Sequence, residues 1–387
     1  MKSWDDFGVS IFSKMTEEAT KAGAINLAQG FPDFDGPKEI IDEAVVALRS
    51  GFNQYAPSRG HRDLRLAIAH HFEKRRHLSY HPDKEVCVFS GASEALFCAV
   101  MSLCREGEII TFEPFFDVYP GYALAAGAQF KTVALQAPHW NFDVESLEKA
   151  ISPKTKAILL NTPHNPTGKV FSRTELESIA KLAIQHDILV ITDEVYEEIV
   201  FETHEHISMA QIPGMKERTL LITSASKTYS VTGWKVGYAL GAEDLLSKMR
   251  IVHEHIVFCS ASPLQKAVVK ALQLPEQYYY DLRRDYLQKR NLLFDALTQA
   301  GFKCFHPQGS YFIIADYSDI SDSDDVDFAI WLTRNAKVAC IPLSSFYLDK
   351  ELAKTKHLVR FCFAKTFDTL MKSAKLLDQA FNESFVR

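Results

Sequence analysis

The chain predicts an α/β protein of two domains, a large one with a mostly parallel, seven-stranded sheet between helices and a smaller α+β unit. Length is the first reason, because 387 residues exceed the ~250–300 at which a single core stops growing. Alternation is the second. Short runs rich in Val, Ile and Leu stand at 86–90, 108–112, 129–134, 156–161, 188–193, 219–224 and 234–240, with helical patterns at 93–105, 117–126, 144–151 and 173–186 between them. Strands covered on both faces read in this way. The third is a break: a long charged helical pattern from Gln277 to Ala300 opens after Leu274-Pro275 and stops at Gly301, where a helix would end.

This long helix is expected to bridge the domains. Beyond it, strands near 311–315, 338–341 and 358–363 and helices near 324–336 and 367–382 form the smaller unit. The expected division is 38–275 for the large domain, with 1–37 and 276–387 forming an N-terminal arm and the small domain. There is no internal repeat and no low-complexity segment.

Composition excludes several classes. A net charge of −6 offers nothing to a nucleic acid. The longest apolar runs, such as Ala95 to Leu103, fall short of the ~20 residues a membrane span needs. The first residues lack the apolar core of a secretory signal, so a cytoplasmic protein is expected. Seven cysteines form no CxxC pair and read as buried, reduced thiols, and no metal site is expected. Neither GxGxxG nor GxxxxGK[ST] occurs, which argues against a nucleotide-binding fold.

Chemistry is expected where polar residues end the predicted strands: Ser90, Asn161, Asp193 and Ser224. In an open α/β sheet, ligands bind at the carboxyl ends of strands, so these four should ring one crevice. After the first comes Gly91-Ala92-Ser93-Glu94 and an apolar helix, which places backbone N–H groups and the Ser93 hydroxyl at a helix N-terminus, an anion site by geometry and dipole. Ser93 as a plain N-cap is the simpler reading of that segment. Between 224 and 237, SASKTYSVTGWKVG gathers hydroxyls and two lysines. A lysine amine attacks an aldehyde only when deprotonated, which burial beside a second cation favours, so Lys227 fits a Schiff-base former and Lys235 a phosphate partner. Solvated surface lysines are the plainer alternative.

With AQGFPDF (28–34), NQYAP (53–57), GAS (91–93), EPFFDVY (113–119), NTPHNPTGKVF (161–171), TDEVYE (192–197), SASKT (224–228), TGWKVG (232–237), PQGSYF (307–312) and RFCFAK (360–365), the chain resembles the fold type I pyridoxal 5'-phosphate (PLP) aminotransferases along nearly its whole length. It is most similar to the branch holding glutamine transaminase K (kynurenine aminotransferase) and the bacterial methionine aminotransferases. The resemblance implies a role for each matching position. Lys227 would carry PLP and, once freed, act as the general base. Asp193 would face the pyridine nitrogen, and Tyr196 and Asn165 the ring's 3'-oxygen. Ala92, Ser93, Ser224 and Lys235 would hold the phosphate, joined by Tyr55 of the other subunit in a homodimer. Phe116 would stack on the ring. Arg360 would clamp the substrate's α-carboxylate, with Gly30 and Asn165 beside it; a guanidinium opening the apolar strand FCF needs an anion. Many relatives have arginine at Lys235, and the named branch shares the lysine.

The expected activity is ping-pong transfer of an amino group from an amino acid to a 2-oxo acid. β-Elimination from cysteine S-conjugates shares the early steps and is the alternative. A non-catalytic PLP-binding regulator fits less well, because the ~35 residues before the core are too short and acidic for a DNA-binding module. Phe12, Tyr55, Phe116, Phe258 and Phe346 are candidate pocket walls and favour large neutral or aromatic substrates over dicarboxylates. The kynurenine branch has a histidine where this chain has Cys259, which favours methionine.

Overall fold

The computed structural model describes residues 3–381. Ile25–Asn26 (β1) is the first strand; Val86–Phe89 (β2), Glu108–Glu113 (β3), Gln129–Ala134 (β4), Thr155–Asn161 (β5), Leu189–Asp193 (β6), Thr219–Ser224 (β7) and Gly237–Leu240 (β8) build the large sheet. Its order is β2-β8-β7-β6-β5-β3-β4. Only β8 runs against its neighbours, β2 and β7; the other pairings are parallel. Successive side chains point to opposite faces. In β5, Ala157 and Leu159 therefore join a core cluster with Leu96, Cys98 and Met249, while Ile158 and Leu160 join another with Leu176, Ile179 and Tyr311. Two buried faces explain why these strands read as unbroken apolar runs.

A second sheet holds Lys303–Cys304 (β9), Phe312–Asp316 (β10), Ile341–Pro342 (β12) and Leu358–Cys362 (β13) in the antiparallel order β12-β13-β10-β9, and Val338–Ala339 (β11) pairs in parallel with β1. The N-terminal segment is thereby joined to the C-terminal part of the chain. The long helix runs Glu276–Gln299.

Several expectations need correction. The predicted strand 234–240 starts only at Gly237, because Thr232–Trp234 is a 3₁₀ turn and Lys235 takes a left-handed conformation (φ 53°). The stretch at 338–341 is two strands in different sheets. Lys227 sits in a one-turn helix, Ala225–Thr228, rather than in a plain turn. Helices Lys38–Arg49, Arg62–Arg76, Glu243–Ile256 and Ser262–Leu272 lie outside the predicted set. In Arg62–Arg76 the buried positions include Arg65, His71 and Arg76, so ion-paired polar residues interrupt the apolar stripe that marks a helix. The predicted end of the last helix, 382, and the outer limits of the two domains, 1 and 387, fall outside the described residues.

Candidate active site

The parallel strands end together, and their ends carry the polar groups. Gly91, Ala92, Ser93, Phe116, Asn161, Asn165, Asp193, Tyr196, Ser224, Lys227 and Lys235 line one cavity of about 110 Å³. Asn161, the last residue of β5, fixes two neighbours at once: its amide donates to the Asp193 carbonyl (2.8 Å) and its oxygen accepts the Asn165 N–H (2.6 Å). The loop bearing Asn165 is thus tied to the end of β6.

Asp193 is buried, with one oxygen accepting from the Tyr119 hydroxyl (2.7 Å) and the other only a long 3.4 Å bond from the Val195 N–H. Burial pushes its pKa up to about 6, against the pull of the Tyr119 hydrogen bond and the Lys227 charge. Lys227 lies across the cavity, its amine 3.4 Å from the Gly30 carbonyl and 5.9 and 5.7 Å from the ring centres of Tyr196 and Tyr311. Burial lowers its pKa to about 8; Lys235 and Arg360 push the same way, while Asp193 opposes. An amine of this basicity is still mostly protonated near physiological pH, but its neutral fraction, which attack on an aldehyde requires, is far larger than an ordinary lysine's.

The helix Ala92–Leu103 points its N-terminus into the same space, and no side chain caps it. Its free N–H groups and dipole favour an anion. Two glycines make room for this turn. Gly91 takes φ 89°, and a β-carbon there would stand 3.0 Å from Lys235 Cε and 3.1 Å from Nζ, so the lysine amine lies directly over the turn. At Gly237 a β-carbon would collide with the backbone of Gly91 and Ala92.

Arg360, on β13, is 1% exposed, and its two hydrogen bonds go to neutral acceptors: the Asn165 side-chain oxygen (2.6 Å) and the Ala28 carbonyl (3.2 Å). Its Nε is buried without a partner. Rings of Phe312, Phe346 and Phe12 surround the guanidinium at 3.9, 4.8 and 5.4 Å. A buried cation lacking an anion is costly, and a ligand carboxylate removes that cost. Beside this cage a larger cavity of about 640 Å³ is walled by the chain neighbours of Phe12, Phe116 and Phe346, among them Ile11, Phe115, Asp117 and Ser345.

Not every expected residue is brought here. Tyr55 is 82% exposed and packs edge-on against Phe258 (5.3 Å), itself at φ 69°, away from the cavity of its own chain. Gly30 presents its carbonyl to Lys227 and to the Tyr311 hydroxyl (2.6 Å), and the Phe312 and Tyr311 rings leave no space for a side chain. Tyr119, Asn161 and Tyr311 have contacts at this site that the sequence reading did not assign. All three belong to motifs it quoted, and position in those motifs was the one available signal.

The donor set fits a ligand bearing an aldehyde, a phosphate and a basic ring nitrogen, which is the description of PLP: an amine of lowered basicity, an uncapped helix N-terminus under a lysine, and a buried carboxylate facing the same space. The chain belongs to the class I and II aminotransferases, whose family model matches residues 22–374. It is 39% identical to methionine aminotransferase of Escherichia coli (strain K12), over 96% of each chain, and 38% identical to kynurenine–oxoglutarate transaminase of Dictyostelium discoideum, over 96% of this chain and 94% of that one. The solved structure of N-succinyldiaminopimelate aminotransferase from Mycobacterium tuberculosis superposes with a TM-score of 0.93 at 38% identity, over 96% of this chain and 97% of that one. The fold is that of the fold type I enzymes, and the protein is a PLP-dependent transaminase acting on amino acids and 2-oxo acids.

Proposed function

We propose that this aminotransferase takes methionine or another large neutral or aromatic amino acid as donor, as a cytoplasmic homodimer organised in the two domains 38–275 and 1–37 with 276–387. What carries the substrate class is Arg360, a buried guanidinium with no ion-pair partner among the described residues, ringed by three phenylalanines. The guanidinium takes the α-carboxylate and the aromatic walls take the side chain. The similarity to a methionine aminotransferase supports the donor, and Cys259, where the kynurenine branch has histidine, weighs against kynurenine.

When bound, PLP supplies an aldehyde for imine exchange and a ring that withdraws electrons from the substrate's α-carbon. Ala92, Ser93, Ser224 and Lys235 would hold its phosphate, Asp193 would pair with the ring nitrogen, Tyr196 and Asn165 would bind the 3'-oxygen, and Phe116 would pack on the ring. Gly30 and Asn165 frame the carboxylate beside Arg360. Lys227 would provide the amine that anchors the cofactor, and its freed Nζ would be the base that holds the proton moved between the substrate's α-carbon and the cofactor's C4'.

Tyr55 and Phe258 form an exposed aromatic knob that belongs at the partner's site, and apolar exposure continues along the same face at Ile256 (51%) and Val257 (41%). Among the described residues no helix is long and apolar enough to cross a membrane, and seven free thiols suit a reducing compartment.

The test is an absorbance spectrum over roughly 330–430 nm, where the cofactor's forms absorb, before and after methionine and then a 2-oxo acid. Conversion of the band by methionine and its return with the oxo acid support the reading. A band that cycles only with aspartate or glutamate would overturn the neutral-donor assignment.

A further inference from the structure

We propose that His253 is a positioning residue that locks the phosphate-binding turn to the loop and helix end carrying Tyr55 and Phe258. The proposal rests on the reading of Ala92 and Ser93 as the phosphate cup.

His253 is fully buried near the end of the helix Glu243–Ile256, and each of its polar groups reaches a different part of the site. Its Nδ1 lies 2.6 Å from Glu94 Oε1, and the other oxygen of Glu94 accepts the Ser90 N–H at 2.5 Å. Glu94 thereby bridges His253 to both ends of the Gly91–Ser93 turn. The opposite ring nitrogen, Nε2, lies 3.0 Å from the Ser58 carbonyl in the loop that displays Tyr55, and the Ser58 hydroxyl donates to Glu254 (2.6 Å). The backbone carbonyl of His253 accepts the N–H groups of Val257 and Phe258, both at 3.0 Å, and the Phe258 ring meets Tyr55.

Both ring nitrogens face groups that accept hydrogen bonds. Nε2 must donate to the Ser58 carbonyl, so one further proton lies between Nδ1 and Glu94. A side chain that cannot donate from both nitrogens leaves buried acceptors unpaired. One residue therefore sets the turn that receives the phosphate in its own subunit together with the aromatic pair presented outward, and phosphate binding and subunit pairing are coupled through it.

The experiment strips full-length protein of cofactor and titrates it with PLP and with pyridoxal, which lacks the phosphate, while sedimentation reports the assembly state. His253→Leu and Glu94→Ala, which takes the acceptors away from both His253 and Ser90, are compared with the parent, and His253→Gln, which keeps one donor group, offers partial rescue. Expected is PLP binding about tenfold weaker with pyridoxal binding changed no more than about twofold, and dimers that dissociate more readily. Equal loss for both ligands in the soluble Glu94→Ala and His253→Gln proteins, or no loss for either ligand in His253→Leu, overturns the role of His253. Failure of the parent protein to prefer PLP over pyridoxal would instead overturn the phosphate cup itself.

Discussion

Asp193 and Lys227 are both held away from their ordinary ionisation by burial, and each shift leaves the neutral form closer at hand. Raised above its unfolded value of 3.8, Asp193 destabilises the cofactor-free fold as pH rises from the ordinary carboxylate range through about 6. On the proposed reading a cationic ring nitrogen set against it would remove that penalty, and part of the cofactor's affinity would be relief of this native-state cost. Tyr119 limits the shift by donating to the carboxylate. Tyr119→Phe is therefore expected to raise the Asp193 pKa further and to weaken cofactor binding about tenfold near neutral pH, with the deficit growing as pH falls toward 6; titrations at several pH values check this, and a pH-independent deficit would remove Tyr119 from the role. Removing the Lys227 amine should abolish the cofactor's imine absorption and lower turnover by about a thousandfold or more, and a Lys227→Ala protein with ordinary turnover would end its assignment.

At the scale of elements, the helix Arg62–Arg76 is tied to the long helix Glu276–Gln299 through two carboxylates, the long helix's own Glu276, which pairs with Lys74 (3.3 Å) and Arg75, and the buried Glu198. Glu198, just beyond the Asp193 strand end, accepts from Arg75 and Arg283 (both 2.7 Å) and from Arg76 (3.0 Å). Desolvation works against its charge, but the three guanidiniums prevail and hold its pKa at about 2. Glu198→Gln leaves Arg283 facing a neutral amide, while Arg75 keeps Glu276 and Arg76 keeps Glu197, and should destabilise the protein by about 1–3 kcal/mol. Because the folded pKa is depressed, this contribution is present above the ordinary carboxylate value and is lost as pH falls from about 4.5 toward 2. The difference in denaturation midpoint between parent and variant should accordingly shrink on acidification, and a constant gap would place the effect in packing.

The molecule as a whole is expected to work as a pair, since Tyr55 stands outside the cavity of its own chain. Mixing a Tyr55→Ala protein with a Lys227→Ala protein after subunit exchange tests this. If Tyr55 acts across the interface, each mixed dimer regains one intact site, and about a quarter of parental activity returns for a one-to-one mixture of random dimers. If Tyr55 acts within its own chain, mixing restores nothing.

The strand ends were legible in the sequence as polar residues closing apolar runs, whereas the roles expected of Asp193 and Arg360 came from the resemblance to a family, and Arg360 stands in the middle of its strand, Leu358–Cys362, rather than at its start. The parallel sheet was legible for a related reason, since strands buried on both faces have little freedom to be polar. The hydrogen-bond contacts of Tyr119, Asn161 and Tyr311, and the position of His253, were not. Tyr119 meets Asp193 across 74 residues of chain and His253 meets Glu94 across 159, and a tyrosine or histidine in an apolar stretch has no local mark of its eventual partner. The same holds for the helix Arg62–Arg76, whose apolar stripe is interrupted by Arg65 and Arg76, charges that only the folded chain neutralises. The sequence by itself determined which chemistry the protein can do, because reactivity resides in side-chain types; tertiary structure alone decided how ionised and how well oriented those groups are, because burial and hydrogen-bond partners are properties of space rather than of order along the chain.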